Sequence, residues 1–121
     1  MNRLKRTKGF TLVEIMIVVL IIGILMAIAV PNFIKARETS RRNSCIANLK
    51  QIDSAKEQWA MDNRKTTGDA CQMSDLTGAN GYMKGAATGP VCPSGGAYTV
   101  NVIGTNPACS LAAAPTSHVL P

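Results

Sequence analysis

Residues 15–30 form sixteen consecutive uncharged, almost wholly apolar positions, and a single carboxylate, Glu14, stands at their mouth. That run constrains the chain more than any other feature. With residues 10–14 it makes twenty-one positions, FTLVEIMIVVLIIGILMAIAV. As a helix they span about 31 Å at 1.5 Å per residue, close to the hydrocarbon thickness of a bilayer. Ile, Val, Leu and Met supply apolar surface all round, as a helix buried on every side requires. A carboxylate beside such a run is costly in lipid, so Glu14 needs a partner or a purpose.

Three readings of this segment compete. A conventional secretory signal has a basic start, an apolar stretch and a small-residue cleavage site, here Ala27-Ile28-Ala29, but this run is long and contains Glu14. A plain membrane anchor is oriented by flanking charge, yet Arg3, Lys5, Arg6 and Lys8 on one side face Lys35, Arg37, Arg41 and Arg42 on the other. In the third reading the chain is cut after Gly9, before the apolar segment. The helix is then retained, with a new amine at Phe10 and Glu14 four residues further on.

Lys8-Gly9-Phe10-Thr11-Leu12-Val13-Glu14 resembles the processing site of type IV pilins and type II secretion pseudopilins. The resemblance covers roughly residues 5–35. It takes in the basic leader, the Gly before the cut, the Phe after it and the Glu fifth in the mature chain, with Gly23 mid-helix and Pro31 closing the apolar run. It implies a prepilin peptidase that cuts between Gly9 and Phe10 on the cytoplasmic face and methylates the Phe10 amine. It also implies that Glu14 faces the positive N-terminus of a neighbouring subunit. That pair is attractive in a low-dielectric bundle, where subunits out of register leave Glu14 unsatisfied. The helix anchors the subunit in the inner membrane and then packs against its copies in a filament. Gly23 and Pro31 weaken backbone hydrogen bonding, so a kink or local melting is expected between them. The implied partners are other copies of the chain, the prepilin peptidase, an inner-membrane assembly platform and the lipid bilayer.

The segment after Pro31 reads as an amphipathic helix to about Asn63. Cys45, Leu49, Ile52, Ala55 or Lys56, and Trp59 fall on one stripe at three- and four-residue steps, facing a small sheet. Residues 64–96 are rich in Gly, Thr, Ala and Ser and read as loop, with a short helical turn at Ser74-Asp75-Leu76. Residues 97–103 alternate and are β-prone, residues 104–107 turn, residues 108–111 return, and residues 117–120 are a third candidate strand. The expected fold is α+β, a long N-terminal helix packed on a small antiparallel sheet. It divides into a cleaved basic leader (1–9), a transmembrane or filament-core helix (10–31), an amphipathic helix (32–63) and a loop with sheet (64–121).

Four cysteines, Cys45, Cys71, Cys92 and Cys109, are spaced by 26, 21 and 17 residues. In an exported chain an even count suggests disulfides. The absence of a Cys-x-x-Cys pair and the single histidine argue against zinc, and no metal is expected. A Cys92–Cys109 bridge closing the hairpin is favoured. Cys45–Cys71 is then awkward, because about 27 Å of helix must be retraced by eight residues that reach about 26–29 Å at most. The competing pattern joins Cys45 to one sheet cysteine and Cys71 to the other. Either stabilises a thin domain by about 2–4 kcal/mol.

The formal charge of +6 belongs mostly to the N-terminus: four of thirteen positive residues lie within the first nine. That pattern points to targeting. No aromatic residues interleave with Lys35, Arg37, Arg41 and Arg42, so nucleic acid is not an expected partner. No nucleophile elbow, phosphate loop or catalytic constellation is present, Asp69 and Asp75 are too sparse for a calcium loop, and no cofactor is expected. His118 reads as a surface residue near a free tail. The expectation is a structural subunit of a type IV pilus or type II secretion pseudopilus, first in the bacterial inner membrane and then in a periplasmic or cell-surface filament. The alternative is a secreted, disulfide-stabilised binding module with a conventional signal peptide.

Overall fold

A computed structural model describes residues 8–85, 88–112 and 118–121. Arg3, Lys5 and Arg6 of the expected leader, and Ser117 of the third candidate strand, lie outside them. The chain divides into two compact units, Met1–Ala36 and Arg37–Pro121.

One helix, α1, runs Leu12–Asp62 and supplies the first unit's described structure. Its start is fixed locally. The Glu14 backbone N–H donates to Thr11 Oγ1 at 3.2 Å, and the Ile15 N–H donates to the Thr11 carbonyl at 3.3 Å. Thr11 is therefore the N-cap, and Glu14 sits in the first turn, where a carboxylate favours the positive helix end. The helix continues through both Gly23 and Pro31. Pro31 has no N–H to give the Ala27 carbonyl, so one hydrogen bond of the ladder is missing there. Every large apolar side chain from residue 10 to residue 34 is exposed.

In the second unit, α1 buries Cys45, Leu49, Ile52, Ala55, Lys56 and Ala60. The predicted stripe is there, with both Ala55 and Lys56 inside it; Trp59 is half-buried and packs against its edge. The helix ends at Asp62, where it was expected to end, for a reason visible in its backbone. Arg64 takes a left-handed conformation (φ 51°), Lys65 N–H donates to the Ala60 carbonyl at 2.8 Å, and Arg64 N–H donates to Met61 at 3.4 Å. This pair of bonds caps the last carbonyls of the helix.

A one-turn helix, α2 (Met73–Leu76), and a 3-10 turn (Gly78–Asn80) follow. The sheet is smaller than expected: β1 (Tyr98–Thr99) pairs antiparallel with β2 (Ala108–Cys109), Tyr98 opposite Cys109 and Thr99 opposite Ala108. The alternating stretch 97–103 does not continue as a strand because its backbone groups are engaged elsewhere. The carbonyls of Val100 and Val102 accept from Lys56 Nζ at 3.2 and 3.3 Å, the Thr105 carbonyl also accepts from Lys56, and Asn101 is left-handed at φ 60°. His118, Val119 and Leu120 are not in a strand.

Among the described residues, the core of this unit has two clusters. One holds Ile52, Ala55, Ala60, Cys71, Leu76, Met83, Val100 and Ile103. The other holds Cys45, Leu49, Cys92 and Cys109, with Tyr98, Leu111 and Leu120 packed against it.

Candidate functional site

The first site is the start of α1. Gly9 and Phe10 precede the helix, and Phe10 is 82% exposed. A Cβ added at Gly9 meets nothing within 4 Å, and the same holds at Gly23. Glu14 is exposed on the first turn. The peptide bond after Gly9 is therefore accessible, and the helix begins two residues beyond Phe10. Thr11, one residue of the motif, has the further role of capping the helix. The signal for it is Thr-x-x-Glu immediately before an apolar run, the pattern of a capping box. α1 is also long and apolar enough to cross a membrane.

The second cluster is a convergence within the globular unit. The ligand atoms of Cys45, Cys92, Cys109 and His118 all lie within 4.8 Å of one another, and all four residues are buried. Cys92 Sγ and His118 Nδ1 are 3.6 Å apart. His118 is 2% exposed, which corrects the expectation of a surface residue: its imidazole lies in the cysteine cluster. Cys71 is elsewhere, in the other core cluster. The four cysteines are thiols in this structure.

The cluster is built by short local devices. α1 delivers Cys45, and β2 delivers Cys109. Cys92 opens the turn Cys92-Pro93-Ser94-Gly95-Gly96, whose Ser94 and Gly96 N–H groups donate to its sulfur. Gly96 has no side chain to obstruct its neighbour: a Cβ there would lie 2.7 Å from Cys109 Sγ and 3.1 Å from Leu111 Cγ. Gly96→Ala is expected to destabilise the unit by about 1–3 kcal/mol through overpacking, measured as the shift in urea midpoint followed by Trp59 fluorescence.

Surroundings split the thiols. Burial pushes Cys45 up to about 12, and its neighbours Cys92 and Cys109 add to the rise against a hydrogen bond from Tyr98. Burial opposes ionisation at Cys92 too, but the Ser94 and Gly96 N–H groups, His118 and Cys45 outweigh it and hold that thiol down at about 6. The Tyr98 hydroxyl, raised chiefly by burial, accepts from Asn48 Nδ2 at 3.1 Å and fixes the wall of the cluster.

The profile of the prokaryotic N-terminal methylation motif matches residues 4–30. The chain is 52% identical over 54 residues to the type IV major pilin protein PilA of Myxococcus xanthus, covering 45% of this chain and 24% of that protein. It is 35% identical over 60 residues to the type II secretion system core protein G of Pectobacterium carotovorum, covering 50% of this chain and 38% of that protein. The corresponding protein of Klebsiella pneumoniae is 34% identical over 62 residues, covering 51% and 44%. The chain thus spans less than half the length of these relatives. No solved structure matches it.

Proposed function

We propose that this chain, which shares its methylation-motif segment with type IV pilins and type II secretion pseudopilins, is a prepilin-type structural subunit of a pilus or pseudopilus. The observation that carries the reading is the exposed apolar surface of α1 from residue 10 to residue 34, directly after an accessible Gly9–Phe10 bond. A patch of that extent needs lipid or copies of itself. In this reading residues 1–9 are a leader removed by a prepilin peptidase, and the amine of Phe10 is methylated. Residues 10–31 cross the inner membrane once, with the C-terminal part outside the cytoplasm. Residues 32–63 continue as the helix of the globular part, and residues 64–121 supply its loops and sheet. An assembly platform in the inner membrane moves the subunit from lipid into the filament. By name one relative is a major pilin and the others are secretion-system core proteins, and no catalytic role is proposed.

Glu14 gives the reading its register. In the membrane it stays near the helix start; in the filament it faces the N-terminal amine of a neighbour and is penalised if that amine is misplaced. Glu14→Ala is expected to be cut normally after Gly9 but to reduce filament yield at least ten-fold, the equivalent of about 1.4 kcal/mol per subunit contact. Counting sheared filaments by electron microscopy against the total processed subunit checks this; normal filaments of the variant would remove the register role.

The experiment that tests the proposal is the intact mass and N-terminal fragment sequence of the protein isolated from cells. A methylated chain starting at Phe10 is expected. A soluble chain starting near Val30 would mean that the helix is discarded and that the conventional secreted module is the better account.

A further inference from the structure

We infer that Cys45, Cys92, Cys109 and His118 form a four-coordinate zinc site that staples the globular unit. Tetrahedral zinc with sulfur at about 2.3 Å and nitrogen at about 2.0 Å sets its ligand atoms roughly 3.4–3.8 Å apart. The four ligand atoms here lie within 4.8 Å of one another, and the Cys92 Sγ to His118 Nδ1 distance is 3.6 Å. The donor set, three thiolates and one imidazole, is a structural zinc set with no position left open for a substrate.

The surroundings fit a metal better than a bridge. One disulfide uses two of the three thiols and leaves the third buried beside the imidazole; a zinc ion engages all four groups. The Ser94 and Gly96 N–H groups aimed at Cys92 Sγ, and the Tyr98 hydroxyl at Cys45 Sγ, are the outer hydrogen bonds that metal-bound thiolates receive. The bare Gly96 lets Cys109 Sγ come close. The ligands come from four separated stretches: α1, the turn after Cys92, β2 and the C-terminal segment. Zinc would tie these together in a unit whose sheet has only two residues per strand. Small domains commonly use a structural metal for this purpose.

The test uses the full-length chain, extracted in mild detergent without chelator or reductant. Elemental analysis should find about one zinc per chain, and alkylation with mass spectrometry should find Cys45, Cys92 and Cys109 unbridged. Stripping the protein under reducing conditions and adding Co²⁺ should produce the thiolate charge-transfer and ligand-field bands of a tetrahedral site, abolished by one equivalent of Zn²⁺. Cys71→Ser should keep the metal, and Cys109→Ala should lose it. His118→Cys should keep it and move the cobalt spectrum toward four sulfurs. A disulfide joining two of the three clustered cysteines in the isolated chain, or a chain that neither carries zinc nor takes up cobalt, overturns the proposal. The wild-type and Cys71→Ser measurements decide it even if the other variants fail to fold. They are also independent of whether the chain polymerises.

Discussion

Lys56→Met is expected to lower the melting temperature of the globular unit by roughly 10–20 °C. Lys56 is 0% exposed, and its ammonium donates to the carbonyls of Val100, Val102 and Thr105, with Asp53 Oδ1 at 3.9 Å. Methionine keeps most of the apolar stem and removes the donors. A buried ion pair can sometimes be replaced by apolar groups without loss, because both partners go. Here the acceptors are backbone carbonyls that no substitution removes. Three of them lose their donor at about 1 kcal/mol each, so about 3 kcal/mol is lost from a domain whose whole stability is of order 5–15 kcal/mol. Asp53 is partly exposed and contributes little to the balance. Thermal unfolding of the full chain in detergent, read through Trp59, measures the effect. An unchanged midpoint would mean that water replaces the ammonium at all three carbonyls and that the 100–105 segment is held by other contacts.

Gly9→Val is expected to abolish processing. The isolated protein should then have the mass of the uncut, unmethylated chain, with no filaments. The prediction separates recognition from folding. A Cβ at Gly9 meets nothing within 4 Å, and the helix is capped by Thr11, beyond the substitution. Valine therefore leaves the folded unit undisturbed, and the same melting temperature as wild type should accompany the loss of cleavage. Under the proposed function the physical cause lies with recognition by the peptidase: a β-branched residue is stiff and bulky beside the bond to be cut. Efficient cleavage of the variant at the same bond would count strongly against a prepilin.

The N-terminal methylation motif was legible because its information is contiguous. Gly9, Phe10 and Glu14 fall within six residues, and the apolar run that gives them meaning follows without interruption. The helical stripe from Cys45 to Ala60 was legible for a similar reason, since a 3.6-residue period is a local property. The strand expected over residues 97–103 is cut short by a long-range contact. Residues 97–103 alternate as a strand does, but Lys56, more than forty residues away, takes the Val100 and Val102 carbonyls and leaves a two-residue strand. Lysine on the buried stripe was the one available sign of this.

The cysteines carry the sharper lesson. Spacings of 26, 21 and 17 residues argue against zinc only if ligands must come in pairs from one turn. When each ligand comes from a different element, separation along the chain says nothing about separation in space. His118 looked like a tail residue for the same reason. Its burial depends on a cluster assembled by α1, the Cys92 turn and β2.

By itself, then, the sequence determined the long apolar helix, its motif and the kind of surface it presents, because those follow from period, length and hydrophobicity within one segment. Only the tertiary structure decided that Lys56 holds the 100–105 loop, that Cys71 stands apart from the other cysteines, and that His118 joins three thiols. Those outcomes depend on which distant groups a folded backbone brings within a few ångströms, and no local pattern encodes that distance.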